Sequence, residues 1–226
     1  MTRWQIRAIV LDFDGVLVDS NRIKVDAFFQ ALEPEYHATL RRALTRGREL
    51  PRRALLGDVL SASGLRGQAL ERAVERYARR YSTNAAAAIL RRGLIRGTLP
   101  LLARLSRRWP LYVSSTTPHG ELLVLLKKLG VRPLLRGASG WPHPKVDVVR
   151  RARSAGFPAR EVLLVGDGRS DRRAAAVAGC RFVGIANEFN EWVVDPSRNQ
   201  IRSLLDLPAL LDLRSFSSRR RAFSSR

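Results

Sequence analysis

The stretch Asp12-Phe13-Asp14-Gly15-Val16-Leu17-Val18-Asp19-Ser20 decides the fold prediction, and it follows the apolar run Ala8-Ile9-Val10-Leu11. A short apolar run that ends at a glycine turn indicates a buried strand. Two carboxylates at the end of such a strand are costly unless a cation or hydrogen bonds offset their charge. Oxygen ligands of this kind suit a divalent metal ion. The alternative is a strand that simply ends in an acidic turn.

A second acidic turn follows far downstream, in Val162-Leu163-Leu164-Val165-Gly166-Asp167-Gly168-Arg169-Ser170-Asp171. Ligands of open α/β sheets bind beyond the carboxyl ends of the strands. We therefore expect Asp12, Asp14 and Asp167 to converge on one metal. Asp171 opens a predicted helix, where a carboxylate also favours the helix dipole without any further role.

Hydroxyl groups and a lysine supply a possible anion site between these two turns. The predicted strand Leu111-Tyr112-Val113 runs into Ser114-Ser115-Thr116-Thr117-Pro118, and such a strand end suits either an anion or ordinary helix capping. Lys145 is one of four lysines against 37 arginines, and it precedes a predicted helix. A cation is unfavourable at a helix start, so a bound phosphate would explain its position.

These four motifs, in their order along the chain, resemble those of the haloacid dehalogenase superfamily. The resemblance spans roughly residues 6–190 and is closest to the phosphatase-like branch with a helical cap inserted after the first motif, which is similar to phosphoglycolate phosphatases and β-phosphoglucomutases. The family pattern Leu-Tyr-Val-Val-Ser-Gly-Thr-Pro makes Ser115 the functional hydroxyl and Ser114 the second choice. In many members the third motif is Lys-Pro-x-Pro-Asp. When this chain is aligned with that pattern, Trp141 occupies the Lys position and Lys145 occupies the Asp position. Other members place the lysine directly before the helix, and Lys145 fits those.

The resemblance implies a mechanism for transfer of a phosphoryl group to water. Asp12 would attack phosphorus and form an aspartyl-phosphate, and Asp14 would act as general acid and then as general base. The implied cofactor is Mg²⁺, held by Asp12, Asp167 and the backbone carbonyl of Asp14. The implied substrate is a small phosphorylated metabolite.

The resemblance also implies a phosphate site and its support. Ser115, Thr116 and Lys145 would bind the phosphate oxygens whose charge must be stabilised. Asp171 would lie behind the first metal ligands, and would contact Lys145 or reach the metal through a water molecule.

Three alternatives to the phosphohydrolase stay open at this point. A phosphomutase of sugar phosphates would keep every residue named above. A dehalogenase is disfavoured because that branch lacks an acid at the position of Asp14, since a halide needs no proton to leave. A non-catalytic polyanion-binding protein would have no need for the combined set of acids, hydroxyl and lysine.

The predicted fold class is α/β, with a Rossmann-like parallel sheet flanked by helices and an inserted α-helical cap. Residues 1–20 and 97–213 are assigned to the catalytic core, 21–96 to the cap and 214–226 to a basic tail that is predicted to be disordered. The cap prediction includes separate helices at Gln68–Tyr81 and Ala85–Arg92. The core prediction includes a short strand at Leu134–Leu135.

Charge is the strongest bias in the composition. The net charge is +21, and residues 21–96 alone carry 16 basic and 7 acidic side chains, a net charge of +9. A basic cap would attract anionic substrates, with Arg22 and Lys24 nearest the predicted site in sequence, although a general bias toward arginine explains the charge equally well. No nucleic-acid motif is present, so we expect non-specific polyanion binding and no specific nucleic-acid partner.

The remaining features predict a cytoplasmic protein. The single Cys180 excludes an internal disulfide and fits a reducing compartment. We find no signal peptide and no apolar stretch long enough to span a membrane. The sequence leaves open the identity of the substrate and the oligomeric state.

Overall fold

The computed structural model describes residues 4–45, 50–154 and 156–211. These residues form two compact units, one of Asp19–Gly93 and one of the described parts of Met1–Val18 and Leu94–Arg226. The units meet between residues 18 and 19 and between residues 93 and 94. The sequence predicts the corresponding domain limits two and three residues later, at 20/21 and 96/97. The predicted tail, 214–226, lies outside the described residues.

The larger unit is built on a parallel sheet. Its strands are ordered β3-β2-β1-β4-β5-β6, and every neighbouring pair is parallel. The predicted Rossmann-like α/β fold is therefore confirmed. The strands are β1 Ala8–Leu11, β2 Leu111–Pro118, β3 Gly137–Trp141, β4 Val162–Gly166, β5 Arg181–Ile185 and β6 Gln200–Ile201.

The smaller unit is made of helices. The larger unit has helices of its own, which cover its sheet. The smaller unit contains α1 Asn21–Ala31, α2 His37–Thr45, α3 Arg52–Ala62 and α4 Gly67–Arg92. The larger unit contains α5 Thr98–Ser106, α6 His119–Lys128, α7 Lys145–Ser154, α8 Arg169–Ala178 and α9 Leu207–Leu210. No helix within the described ranges has the length and apolar character needed to cross a membrane. The cytoplasmic location stays a prediction.

The two central strands read as continuous apolar runs because both of their faces are covered. All residues of β1 and β4 are buried, as parallel strands between two helical layers require. On one face, the strands pack against small and branched side chains of α7 and α8, among them Val148, Val149, Ala152, Ala174 and Ala175. This packing fixes the carboxyl end of β1 beside that of β4.

The smaller unit has an apolar core of its own, in which three aromatic rings pack among aliphatic side chains. The rings of Phe28 and Tyr81 lie 4.3 Å apart between centroids. The Tyr77 hydroxyl donates a hydrogen bond to Glu33 and accepts one from Arg76 at 2.9 Å. Burial, together with the bond to Glu33, raises the pKa of Tyr77 to about 12, so this hydroxyl stays protonated as a donor.

The predicted break between two cap helices is wrong, because α4 runs unbroken from Gly67 to Arg92. The sequence Ser82-Thr83-Asn84 suggested an end to the helix. Instead, the Ser82 hydroxyl donates to the Ala78 carbonyl at 2.9 Å and the Thr83 hydroxyl donates to the Arg79 carbonyl at 3.2 Å. Hydroxyls that bond back to the preceding turn can be accommodated inside a helix.

The predicted strand at Leu134–Leu135 is also wrong. Leu134 ends a short 3-10 turn, and β3 lies further on, at Gly137–Trp141. The small side chains of this strand give a weak strand signal, so its pairing with β2 decides its position. A Cβ atom at Gly140 would lie 2.8 Å from the His119 Cα and would also overlap the Thr117 carbonyl oxygen.

We predict that Gly140→Ala lowers the free energy of unfolding by about 1–3 kcal/mol, because backbone atoms must move to admit the methyl group. Gly120→Ala is the control, since a Cβ at that position in α6 would meet nothing within 4 Å. It should be neutral or stabilising by up to about 1 kcal/mol. All four tryptophans lie outside 19–93, so urea unfolding followed by tryptophan fluorescence reports on the larger unit. Equal stability of the two variants would contradict the close approach at Gly140.

Candidate active site

Asp12 lies directly beyond the end of β1, at the carboxyl edge of the sheet. Its N–H donates to the Val165 carbonyl at 2.8 Å, which continues the pairing of β1 with β4. Its Oδ1 accepts a hydrogen bond from the Phe13 N–H at 2.7 Å. The carboxylate is buried, and main-chain pairing holds it next to the turn that carries Asp167.

The chain bends sharply after Asp12. Gly15 has a φ of 70°, and its N–H donates to the Val18 carbonyl at 2.8 Å. The Leu17 N–H donates to the Phe13 carbonyl at 2.9 Å and closes the turn. This positive φ favours glycine, because a residue with a side chain is strained in the left-handed region. The bend directs Asp14 toward different partners from those of Asp12.

Two hydroxyl groups hold the Asp14 carboxylate. Ser115 Oγ and Thr117 Oγ1 each donate to Asp14 Oδ2 at 3.1 Å, and the Thr117 N–H donates to Ser115 Oγ at 3.0 Å. Both hydroxyls reach the same carboxylate because β2 continues to Pro118 and alternate residues share a face. Thr116, between them, is exposed.

Thr117 is a site residue that the sequence does not predict. The predicted strand ends near Ser115, so its alternation does not extend to Thr117. Ser114, the second choice, is buried, and its hydroxyl has no hydrogen-bond partner within the described ranges. The structure thus brings Ser115, and not Ser114, to Asp14.

Lys145 bridges two acids at the start of α7. Its Nζ lies 2.8 Å from Asp12 Oδ2 and 2.6 Å from Asp171 Oδ1, and all three side chains are buried. Burial lowers the pKa of Lys145, but the charges of Asp12 and Asp171 outweigh this effect and leave the pKa above its ordinary value. The ammonium is therefore fully protonated at neutral pH.

Asp171 lies in the first turn of α8. Burial raises the pKa of its carboxyl, the charge of Asp12 raises it further, and the Lys145 ammonium opposes both. Asp171 Oδ2 also accepts a hydrogen bond from the Gly168 N–H at 3.2 Å. The residue before Asp167 must be glycine while Asp171 is present, because a Cβ at Gly166 would overlap the Asp171 side chain.

Two asparagines that the sequence analysis missed support Asp167. Asn187 Nδ2 donates to Asp167 Oδ2 at 2.8 Å, and Asn190 Nδ2 donates to the Asp167 carbonyl at 2.9 Å. Both follow β5, the strand next to β4 in the sheet. The acids were predicted because they are polar residues just beyond the end of a strand. The two asparagines also follow a strand, so the same signal could have indicated them.

The carboxylates of Asp12, Asp167 and Asp171 could hold a metal ion, since each offers an oxygen within 4.8 Å of the others. With Lys145, three carboxylates and one ammonium carry a net charge of −2 when all are ionised. Charge of this density is costly to bury, and a divalent cation would offset it. Oxygen ligands are those that Mg²⁺ prefers. The ligand predicted from Asp14 is its backbone carbonyl, and this part stays a prediction.

Comparison with known proteins agrees with this fold. Residues 6–179 match the model of the haloacid dehalogenase-like hydrolases. A phosphoglycolate phosphatase from Pseudomonas savastanoi pv. phaseolicola is 27% identical over 237 aligned positions, which cover 94% of this chain and 86% of that protein.

Solved structures show the same fold at lower identity. A haloacid dehalogenase-like hydrolase from Streptococcus pneumoniae has a TM-score of 0.68 at 21% identity, over 91% of this chain and 98% of its own. A protein from Bacillus subtilis, solved with bound magnesium, has a TM-score of 0.67 at 15% identity, over 92% of this chain and 99% of its own.

The chain belongs to the haloacid dehalogenase-like hydrolase family, because the family model matches more than half of its length. The predicted family membership is confirmed, and the protein is an enzyme of the hydrolase class.

We predict that Thr117→Val lowers the free energy of unfolding by about 1–3 kcal/mol, because it removes a donor to a buried carboxylate and keeps the side-chain shape. Thr116→Val is the matched control on the same strand. Its side chain is exposed, so it should change stability by no more than about 0.5 kcal/mol. Urea unfolding followed by tryptophan fluorescence measures both, and equal values would contradict the bond to Asp14.

Proposed function

We propose that the protein is a Mg²⁺-dependent phosphohydrolase of small phosphorylated metabolites that works through an aspartyl-phosphate. The observation that carries this proposal is the different environment of two neighbouring acids. The Asp12 carboxylate contacts the Lys145 ammonium, whereas the Asp14 carboxylate accepts hydrogen bonds from two hydroxyl groups. Acids in different environments can take different roles in one reaction.

Asp12 is the proposed nucleophile. One of its oxygens would form a bond to phosphorus while the ester bond from phosphorus to the leaving oxygen breaks. The Phe13 N–H and Lys145 Nζ fix the orientation of the carboxylate. The protonated Lys145 would also stabilise negative charge on the phosphoryl oxygens that approach Asp12.

Asp14 is the proposed acid and base. It would give a proton to the leaving alkoxide, and would then take a proton from the water that attacks the aspartyl-phosphate. Thr117 would keep Oδ2 in place during both proton transfers, so they would use one fixed carboxyl group. Ser115 would turn from Asp14 to a phosphate oxygen when the substrate binds, with Thr116 beside it.

We propose that Asp12, Asp167 and the Asp14 backbone carbonyl hold a magnesium ion, since the carboxylates of Asp12 and Asp167 are close enough to share one. When bound, Mg²⁺ supplies positive charge against the phosphoryl oxygens. Asn187 and Asn190 would keep Asp167 oriented toward such an ion. Asp171 is proposed to position Lys145 through their contact of 2.6 Å.

The proposed substrate is an anionic phosphate ester, and phosphoglycolate is one candidate. The support is the name of the Pseudomonas savastanoi relative, phosphoglycolate phosphatase. We propose that the helical unit, Asp19–Gly93, serves as the cap. Its basic character would favour anionic substrates.

We predict that the wild-type protein with Mg²⁺ releases phosphate from a panel of phosphorylated metabolites, and that Asp12→Asn lowers kcat at least about a thousandfold. An amide cannot act as the nucleophile. The control is Asp58→Asn, an identical change at an exposed position on α3. It should keep wild-type activity.

Other outcomes of this assay would contradict the proposal. Release of halide from haloacids without phosphate release would indicate a dehalogenase. Isomerisation of a sugar phosphate that depends on a sugar bisphosphate would indicate a phosphomutase. An Asp12→Asn variant with wild-type activity would remove Asp12 from the mechanism.

We predict that Mg²⁺ raises the Tm of the wild-type protein and that EDTA reverses the rise. When the Mg²⁺ concentration is a hundred times Kd, the free energy of unfolding rises by about 2.7 kcal/mol. Asp167→Asn should abolish the shift, and Asn187→Ala should weaken Mg²⁺ binding about 10–100-fold. Asp58→Asn should keep it. Thermal unfolding against Mg²⁺ concentration measures the effect, and an equal shift in Asp167→Asn would contradict this metal site.

A further inference from the structure

A pocket of about 340 Å³ opens beside the candidate active site within the larger unit. Its lining includes Ser115, Thr116 and Lys145 of the candidate site. It also includes Trp141 at the end of β3, the loop from Pro142 to Pro144, and Arg173 on α8. At about 30 Å³ for each water molecule, the pocket has the volume of roughly eleven waters. It could therefore hold an organic group in addition to a phosphoryl group.

The walls of this pocket are largely apolar and partly open to solvent. Trp141 is 49% exposed and Val177 is 67% exposed, although both are large apolar side chains. Two prolines of the loop, Pro142 and Pro144, complete the apolar lining. Exposed apolar surface in a concave site next to polar groups is typical of a ligand-binding wall.

The backbone on both sides of Trp141 is held in place by contacts with the start of α6. The Gly140 N–H donates to His119 Nδ1 at 3.3 Å, and the His143 N–H donates to the Gly140 carbonyl at 3.1 Å. The rings of His119 and His143 lie 5.4 Å apart, edge to face. The wall is therefore formed before any ligand arrives, which lowers the entropy cost of binding.

Arg173 supplies the positive charge of this pocket. Of its lining residues, Lys145 and Arg173 carry a full charge, and Lys145 is engaged with Asp12 and Asp171. The Arg173 side chain is exposed and makes no ion pair or hydrogen bond within the described part of the chain. A planar guanidinium without a partner suits a carboxylate or a second phosphate on a ligand.

We propose that this pocket binds the organic part of the substrate, and that the substrate is a phosphate ester with a second anionic group on an apolar or planar body. Arg173 pairs with the second anion, and Trp141 covers the body of the ligand. This inference rests on the proposed function, because it assumes that the phosphoryl group lies between Lys145 and Ser115.

The test uses two phosphonates that cannot be hydrolysed and that differ only in a carboxylate: benzylphosphonate and para-carboxybenzylphosphonate. Isothermal titration calorimetry with Mg²⁺ present gives both affinities. The wild-type protein should bind the carboxylated compound roughly tenfold more tightly, and Arg173→Gln should remove this preference. Trp141→Ala should weaken both ligands about fivefold and keep the preference.

Arg172→Gln is the matched control. It makes the same charge change at the neighbouring exposed position of α8, which does not line the pocket. It should keep the tenfold preference. Equal affinities in the wild-type protein, no binding of either phosphonate, or a preference that survives Arg173→Gln would overturn the inference.

The two proposals can fail separately. Loss of the preference in Arg173→Gln, in a protein that hydrolyses no phosphate ester, would support the pocket and overturn the proposed phosphohydrolase. Hydrolysis that depends on Asp12, together with an unchanged preference in Arg173→Gln, would support the enzyme and overturn the pocket.

Discussion

Carboxylates that lie side by side in a buried place repel one another, and the folded state tolerates them only when cations or donors take up their charge. At the sheet edge, Lys145 lies between Asp12 and Asp171 and contacts both. Asn187 donates a hydrogen bond to the Asp167 carboxylate. This balance explains why a lysine starts α7 despite an unfavourable helix dipole. It also explains why an amide of the loop after β5 contacts Asp167.

The parts of the site that the sequence predicted were those with local signals. The apolar runs that became β1 and β4 end in Asp12 and Gly166-Asp167, and a parallel sheet places such ends side by side. Lys145 was marked by its rarity and by its place at a helix start, and the structure sets it against Asp12. In each case, the residue type and its position along one element were enough.

The parts that the sequence did not predict depend on contacts between distant segments. The position of β3 follows from its pairing with β2, because Gly137, Ala138 and Ser139 have little preference for a strand. Thr117 reaches Asp14 only because β2 is longer than its apolar residues suggest. The continuity of α4 likewise depends on packing, because Tyr81 and Ala85, on either side of Ser82-Thr83-Asn84, are buried in the core of the smaller unit.

The overlap between a side chain at position 166 and the Asp171 carboxyl group limits which substitutions this protein can accept during evolution. A substitution at Gly166 harms the fold as long as residue 171 has a Cβ atom, but a glycine at 171 would remove these contacts. The effect of one substitution therefore depends on the other, so the two positions are epistatic. A lineage that replaced Asp171 with glycine would free position 166 to vary, and a side chain acquired there would then block the return of the acid.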